Sequence, residues 1–258
     1  MSLIEIRGIV FEYAGGIRIL DNINLSIEEG TITTILGLNG CGKTTLIKLL
    51  SGLMKPASGE ITIKGIPVLS MSDHDRSKLI AYVPQFASNH IPFTVKNYLA
   101  LSLTNQKSIY WQPSREDYAA VEEFAKSMNI SESNLNKRVD ELSGGERQIV
   151  MICGALLQDA EIIILDEPTA ALDMRNQFLV LKFLKRCHST QKKTIILSSH
   201  DPNHAIRLGG NVVAMHKGRF FLSGDSREII CAEKLRDVYG DFICDSKRSM
   251  YNYIVLEW

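Results

Sequence analysis

The stretch that most restricts the fold is "TITTILGLNGCGKTTLIKLLSGL", from Thr31 to Leu53. It opens as a β-branched apolar run, turns through Gly37, Gly40 and Gly42, and continues with helical periodicity. A strand that is apolar on both faces must be covered by helices on both sides, so the chain is committed to a layered α/β core. The three glycines let the backbone turn tightly and aim its N–H groups inward, and the helix that follows adds partial positive charge. Residues 37–44 fit G-x-x-x-x-G-K-[ST] in the strand–loop–helix context the motif requires. Lys43 is then placed for the β- and γ-phosphates of a nucleoside triphosphate, and the Thr44 hydroxyl for Mg²⁺. The dinucleotide fingerprint G-x-G-x-x-G fails, because Thr45 stands where its third glycine belongs.

Two more runs, "EIIILDE" (Glu161 to Glu167) and "KTIILSSH" (Lys193 to His200), read as buried parallel strands. The first thirty residues instead suggest two strands joined by Ala14-Gly15-Gly16, and "SGEITIKGIPV" another pair turning at Gly65-Ile66-Pro67. Between residues 86 and 142 helical patterns such as "TVKNYLALSL" and "REDYAAVEEFAKSM" replace strands. The expected fold is therefore α/β: a P-loop NTPase core with a mainly parallel sheet, an antiparallel β layer, and an inserted helical subdomain (86–142) within a single domain spanning 1–258.

Lysine and arginine total 29 and so do aspartate and glutamate, which leaves no global basic field to draw nucleic acid. The five cysteines are scattered and never spaced C-x-x-C, so neither a disulfide framework nor a zinc site is expected. No run approaches the roughly 20 apolar residues that cross a bilayer.

The strand of "IIILDEPTAALD" ends in two carboxylates, Asp166 and Glu167. At the C-terminal edge of an open α/β sheet both can address a ligand in the crevice. Asp166 suits Mg²⁺, and Glu167 suits the orientation or deprotonation of an attacking water. A guanine-reading N-K-x-D is missing, since "NKRVD" has Val139 in its last-but-one place.

"LSGGE" (Leu142 to Glu146) poses a separate question. Ser143 and Glu146 spell S-x-x-E ahead of an apolar helical pattern, which makes a capping box and accounts for a stable helix start. It does not account for Gly144 and Gly145, because a glycine inside a helix costs about 0.5–1 kcal/mol relative to alanine. Their missing side chains let another body approach the helix N-terminus, an end that attracts anions. With a phosphate cradle already present at 37–45, a second anion site suggests a nucleotide carried by another copy of the chain.

Together "GLNGCGKTT", "YVPQ", "LSGGE", "IIILDEPTAALD" and "SSHD" resemble, in order and approximate spacing, the ATP-binding-cassette ATPases. The resemblance implies an ATPase with ATP and Mg²⁺ as ligands, and two cassettes paired head to tail around two ATP molecules. Each ATP would lie between one chain's loop (Gly37, Asn39, Gly40, Cys41, Gly42, Lys43, Thr44, Thr45) and the other's Ser143, Gly144 and Gly145. It further implies that Tyr13 stacks on adenine, that Gln85 senses Mg²⁺ and the attacking water, that Asp173 communicates across the dimer, and that His200 contacts the γ-phosphate. "LSMSDHDRSKLIAYVPQ" and "GDSREIICAEKLRDVYG" resemble subunits of importers for iron-siderophore complexes, haem and cobalamin. That narrower likeness implies integral permease subunits, an extracytoplasmic substrate-binding protein and a place on the cytoplasmic face of the cell membrane. The alternative is a soluble cassette ATPase serving iron–sulfur assembly or another non-transport role.

Pro202 departs from the leucine usual in these subunits, stiffening the turn after His200. A metal reading of His200 and His204 is disfavoured by the same proline between them and by the lack of H-E-x-x-H. Cys41, at an electropositive helix start, is expected to have a lowered thiol pKa and to react with thiol reagents.

Overall fold

A computed structural model describes residues 2–85, 90–103, 112–240, 243–245 and 254–256 of the chain. The N-terminal segment folds as β1 (Ser2–Tyr13) and β2 (Ile17–Glu28), an antiparallel pair closed at residues 14–16, where the Gly16 N–H donates to the Tyr13 carbonyl over 3.1 Å. β3 (Ile32–Leu36) leads through the glycine loop into α1 (Lys43–Leu50). β4 (Ser58–Ile63) then pairs with β1, and a short β5 (Ile66–Pro67) folds back on it.

This second hairpin corrects the expected turn. Lys64 and Gly65 both adopt positive φ (51° and 77°), as a two-residue hairpin turn demands. Ile66 and Pro67 therefore belong to the strand, pairing with Ile63 and Thr62, and the proline is tolerated because β5 is an edge.

α2 (Asp73–Leu79) feeds β6 (Ile80–Val83), after which α3 (Val95–Ser102), α4 (Arg115–Ser127) and α5 (Glu132–Leu135) fall within the stretch expected to be helical, and α6 (Gly144–Leu157) follows it. Phe86, the expected start of that stretch, lies outside the described residues. The remaining elements are β7 (Ile162–Leu165), α7 (Met174–Gln191), β8 (Thr194–Ser199), α8 (Pro202–Leu208), β9 (Asn211–His216), β10 (Arg219–Asp225), α9 (Ser226–Ile229), α10 (Ala232–Tyr239), β11 (Ile243–Asp245) and β12 (Ile254–Leu256).

Two main sheets result. The larger runs β10-β9-β3-β8-β7-β6 and is parallel except for β10; the smaller runs β2-β1-β4-β5 and is antiparallel. Alternation along the buried strands divides the core. Ile162, Ile164 and Ile196 face the antiparallel layer and α1, together with Ile4, Ile6, Leu46 and Ile47. Ile163, Leu165, Ile195 and Leu197 face the opposite way, against Val95 and Leu99 of α3, Val150 and Ile152 of α6, and Val180 and Leu184 of α7. Each such side chain is worth roughly 1.5–3 kcal/mol when fully buried, so the two faces specify the register strongly.

The strand order sets up everything that follows. β8 lies between β3 and β7, so the residues leaving its C-terminal end stand between the glycine loop after β3 and the carboxylates after β7. The crevice outside the carboxyl ends of such strands is where ligands bind in open α/β sheets.

Candidate nucleotide site

A Cβ on Gly37 would come within 2.6 Å of the Met215 carbonyl oxygen and of the Cys41 Sγ, so no larger residue fits beneath the end of β9. Gly42 caps α1 at φ 107° and supplies no side-chain cap to that helix. Its first turn contains no acidic residue either. The orphan N–H groups and the positive end of the helix dipole are thus left for an external acceptor.

They open onto a cleft of about 310 Å³ lined by loop residues Asn39, Gly40, Gly42, Lys43, Thr44 and Thr45, and by Tyr13, Ile19, Gln85 and Glu167. Tyr13 is 45% exposed, stands edge-on to the Phe11 ring, and has its hydroxyl 3.4 Å from Thr45 Oγ1. Tyr13 lines the cleft with Ile19 as an apolar neighbour, a pair of side chains that suits a flat ligand.

The buried Lys43 ammonium is the hub. It donates to the carbonyls of Gly37 (2.8 Å) and Leu38 (3.2 Å) and pairs with Glu167 Oε1 at 3.1 Å. The other carboxylate oxygen of Glu167, Oε2, lies 3.1 Å from His200 Nδ1. These contacts, the His200 hydrogen bond first and Lys43 next, overcome burial and hold the Glu167 carboxyl down at about 2. Reciprocally, the Glu167 hydrogen bond raises His200 above the ordinary imidazole value. Glu167 also has φ 42°, a left-handed conformation that costs a residue with a Cβ about 1–2 kcal/mol.

Asp166 is reached from two sides: Thr44 donates to its Oδ1 over 3.1 Å and Ser198 over 2.7 Å. The Ser198 hydroxyl in turn accepts from the Glu167 N–H at 2.8 Å, tying both carboxylates to the end of β8. Ser198 escaped the sequence reading, although a polar residue inside a wholly buried strand signals such a role. Thr44, Asp166 and Gln85 are hard oxygen donors few enough to suit Mg²⁺, which keeps water and phosphate as its other ligands. Among the described residues there is no group of three His, Cys, Asp or Glu that could cage a metal by itself.

His204 does not join His200. It is buried, with Nδ1 2.9 Å from Ser199 Oγ and 3.4 Å from Thr169 Oγ1, and burial lowers its pKa. Pro202 takes the first helical position of α8, where its missing N–H costs nothing. The expectation for Cys41 is overturned: the thiol is buried beside Gly37, and desolvation outweighs the Lys43 charge and raises its pKa.

Ser143, Gly144, Gly145 and Asp173 do not line the cleft. Ser143 caps α6 with Glu146 completing the box, the Ser143 N–H and hydroxyl donating to Glu146 Oε2 at 3.0 and 2.8 Å. Asp173 caps α7, accepting from the Asn176 N–H at 2.8 Å.

A phosphate-shaped loop, a hydroxyl–carboxylate pair and a strained glutamate, all at the carboxyl edge of one parallel sheet, define a P-loop nucleoside-triphosphatase cassette. The chain belongs to the ABC transporter family, whose model matches residues 20–170. It is 33% identical over 239 residues to the achromobactin transport ATP-binding protein CbrD of Dickeya dadantii, covering 93% of this chain and 88% of that protein. Identity to the iron(3+)-hydroxamate import ATP-binding protein FhuC of Bacillus subtilis is 33% over 221 residues, 86% of this chain and 82% of that one. A solved ATP-binding cassette, a dimer in a post-hydrolysis state bound to ADP and phosphate, superposes with a TM-score of 0.79 at 28% identity, covering 87% of this chain and 99% of that one.

Proposed function

We propose that this chain is the ATP-hydrolysing subunit of an importer for iron-siderophore complexes, acting as a head-to-tail pair bound to separate permease subunits at the cytoplasmic face of the membrane. The permease would in turn receive its cargo from an extracytoplasmic binding protein. The named relatives support the cargo class, and the dimeric structural relative supports the pairing. Among the described residues no helix is long and apolar enough to cross a membrane; in this reading the passage through the bilayer belongs to the permease subunits.

The observation that carries the pairing is Gly144. It sits in the first turn of α6 at ordinary φ, and a Cβ built on it meets nothing within 4 Å. Among the described residues nothing there calls for a glycine, whereas an approaching nucleotide on a second copy would. Asp173, at the start of α7, is proposed to face that second copy too, and the helices within 86–142, beside Gln85, to receive the permease.

In the cleft, Tyr13 would stack on the base and the loop N–H groups would take the phosphates. Lys43 holds Glu167 and two carbonyls in place of phosphate oxygens; an arriving γ-phosphate would draw it away. The His200 hydrogen bond first and Lys43 next hold this carboxyl low, too weak a base for water at neutral pH, and losing both partners to the phosphate would raise it. Glu167 then takes the proton of the attacking water while His200 turns to the γ-phosphate. Thr44, Asp166 and Gln85 would hold Mg²⁺, which neutralises charge on the β- and γ-phosphates when bound.

The test is the concentration dependence of hydrolysis. A reaction centre completed by a second chain gives specific activity that rises with protein concentration, together with an ATP-dependent dimer in sedimentation. Specific activity independent of concentration at monomer-only conditions rejects the pairing. Loss of growth on ferric chelates in a deletion strain tests the cargo.

A further inference from the structure

His204 is a buried polar residue with no part in the hydrolysis itself. Its Nδ1 lies 2.9 Å from Ser199 Oγ and 3.4 Å from Thr169 Oγ1, and both of those side chains are buried too. Burial lowers the imidazole below its ordinary value against the pull of Asp201, so the ring is neutral. With the Nε2 proton turned to the Asp201 carboxylate 3.5 Å away, Nδ1 is the acceptor for both hydroxyls.

The two hydroxyls belong to the two segments that carry the reacting pair. Ser199 ends β8 immediately before His200, and its Oγ accepts from the Asp201 N–H at 3.0 Å, closing a turn around that histidine. The same hydroxyl stands 3.3 Å from the Asp201 carbonyl, to which it would swing if His204 did not hold it. Thr169 follows Glu167 in a tightly turned stretch, where the Ala170 N–H donates to the Glu167 carbonyl and the Leu172 N–H to the Thr169 carbonyl, each over 3.1 Å. Gln177 fastens this stretch to α7, its side-chain amide donating to the Thr169 and Leu172 carbonyls at 3.2 and 3.1 Å. His204 thus ties the His200 turn to the Glu167 turn. The His200 side chain is 52% exposed, so packing does not fix its direction; the turn that bears it does.

We propose that His204 is a positioning residue: by holding Ser199 and Thr169 together it sets how His200 meets Glu167, and hence where the glutamate stands toward the attacking water. This rests on the assignment of Glu167 and His200 to ATP hydrolysis.

His204→Leu removes the acceptor, and His204→Asn puts an amide oxygen in the place of Nδ1. The leucine variant should lose roughly 5- to 30-fold in kcat while KM for ATP stays within a factor of about two, because misalignment is felt in the transition state and not in binding. The asparagine variant should recover most of that loss. Ser199→Ala should cost a similar factor, and added to His204→Leu it should cost little more, since both cut the same link. A readout independent of turnover is the His200 imidazole titration, followed by NMR in the nucleotide-free protein. It should fall toward the ordinary value in the leucine variant and stay raised in the asparagine variant. A leucine variant that melts lower yet keeps kcat and the His200 titration would make His204 a packing residue and overturn the proposal, as would an asparagine variant no better than leucine. Should leucine prevent folding, Ser199→Ala carries both measurements in its place. Wild-type protein that hydrolyses no ATP would instead overturn the reading of the cleft, and the His200 titration would still decide the role of His204.

Discussion

Helices α1 and α6 both begin beside glycines and both present backbone N–H groups at the edge of the molecule, but their ends are finished in opposite ways. Gly42 leaves α1 uncapped, with no carboxylate in its first turn; Ser143 and Glu146 finish α6 with a capping box in which the Ser143 hydroxyl takes the Glu146 N–H. The glycines differ as well. Gly42 has φ 107°, and its Cβ would press to 2.8 Å from the Leu20 side chain, whereas Gly144 is unstrained and unobstructed. One end needs a ligand to satisfy it and is glycine by internal necessity. The other is stable alone and is glycine for the sake of something outside the chain.

The sharpest way to break this contrast is at the chemistry beside α1. Replacing Glu167 with glutamine should slow hydrolysis by roughly 10²–10⁴, the usual worth of a general base, while leaving ATP bound and the dimer long-lived. Near-normal steady-state turnover would remove Glu167 from its assigned role.

Gly144→Asp attacks the other side. It places a carboxylate where a partner's phosphate would come, so hydrolysis should fall about 10²-fold, the scale of a lost electrostatic contact at a reacting phosphate. Nucleotide affinity of the isolated chain should hold, and unfolding free energy should stay within about 0.5 kcal/mol, because a Cβ there meets no described atom within 4 Å. Fluorescent-nucleotide titration showing lost binding would mean α6 serves its own chain's cleft.

Ser143→Ala sharpens the same point by smaller steps. It should cost about 1 kcal/mol in urea unfolding, the value of a helix cap, whether or not nucleotide is present. A stability change near zero would mean that α6 does not depend on its capping box.

The pairing of buried Glu167 with exposed His200 beside α1 has a pH signature. His200 is raised above 6.5 and Glu167 is lowered from 4.5 to about 2. The histidine's contribution is full below 6.5 and disappears as pH rises through its raised value; the glutamate's is full above 4.5 and disappears as pH falls toward 2. Nucleotide-free wild type should therefore exceed Glu167→Gln in melting temperature most clearly between about pH 4.5 and 6.5. Imidazole NMR should show the His200 titration moving down in that variant, and no movement would separate the two residues.

Much of the arrangement around this cleft is legible in the sequence, for reasons that differ by residue. Lys43, Thr44 and Asp166 lie at the ends of strongly apolar strands or on the glycine loop, so short-range pattern and motif spacing located them. The hairpin at Lys64 and Gly65 was misplaced because proline suggested a turn, and only pairing to β4 reveals Pro67 as an edge-strand residue. Ser198 reaches the site through contacts spanning more than thirty residues of chain, for which single-sequence periodicity carries no signal.

Cys41 shows where local reasoning fails outright. A thiol in the turn before a helix, two residues from a lysine, suggests an activated nucleophile, and Lys43 does pull its pKa down. The opposing effect is larger, because the loop folds this side chain inward beneath Gly37, and desolvation raises the thiol instead. Alkylation of Cys41 in the folded, nucleotide-free protein should accordingly be slower than that of a free thiol of ordinary pKa, and ATP should add little protection. Mass-spectrometric labelling that finds Cys41 the fastest-reacting cysteine would show that the loop opens far enough to expose it, and α1 would then be a looser structure than its buried neighbours imply.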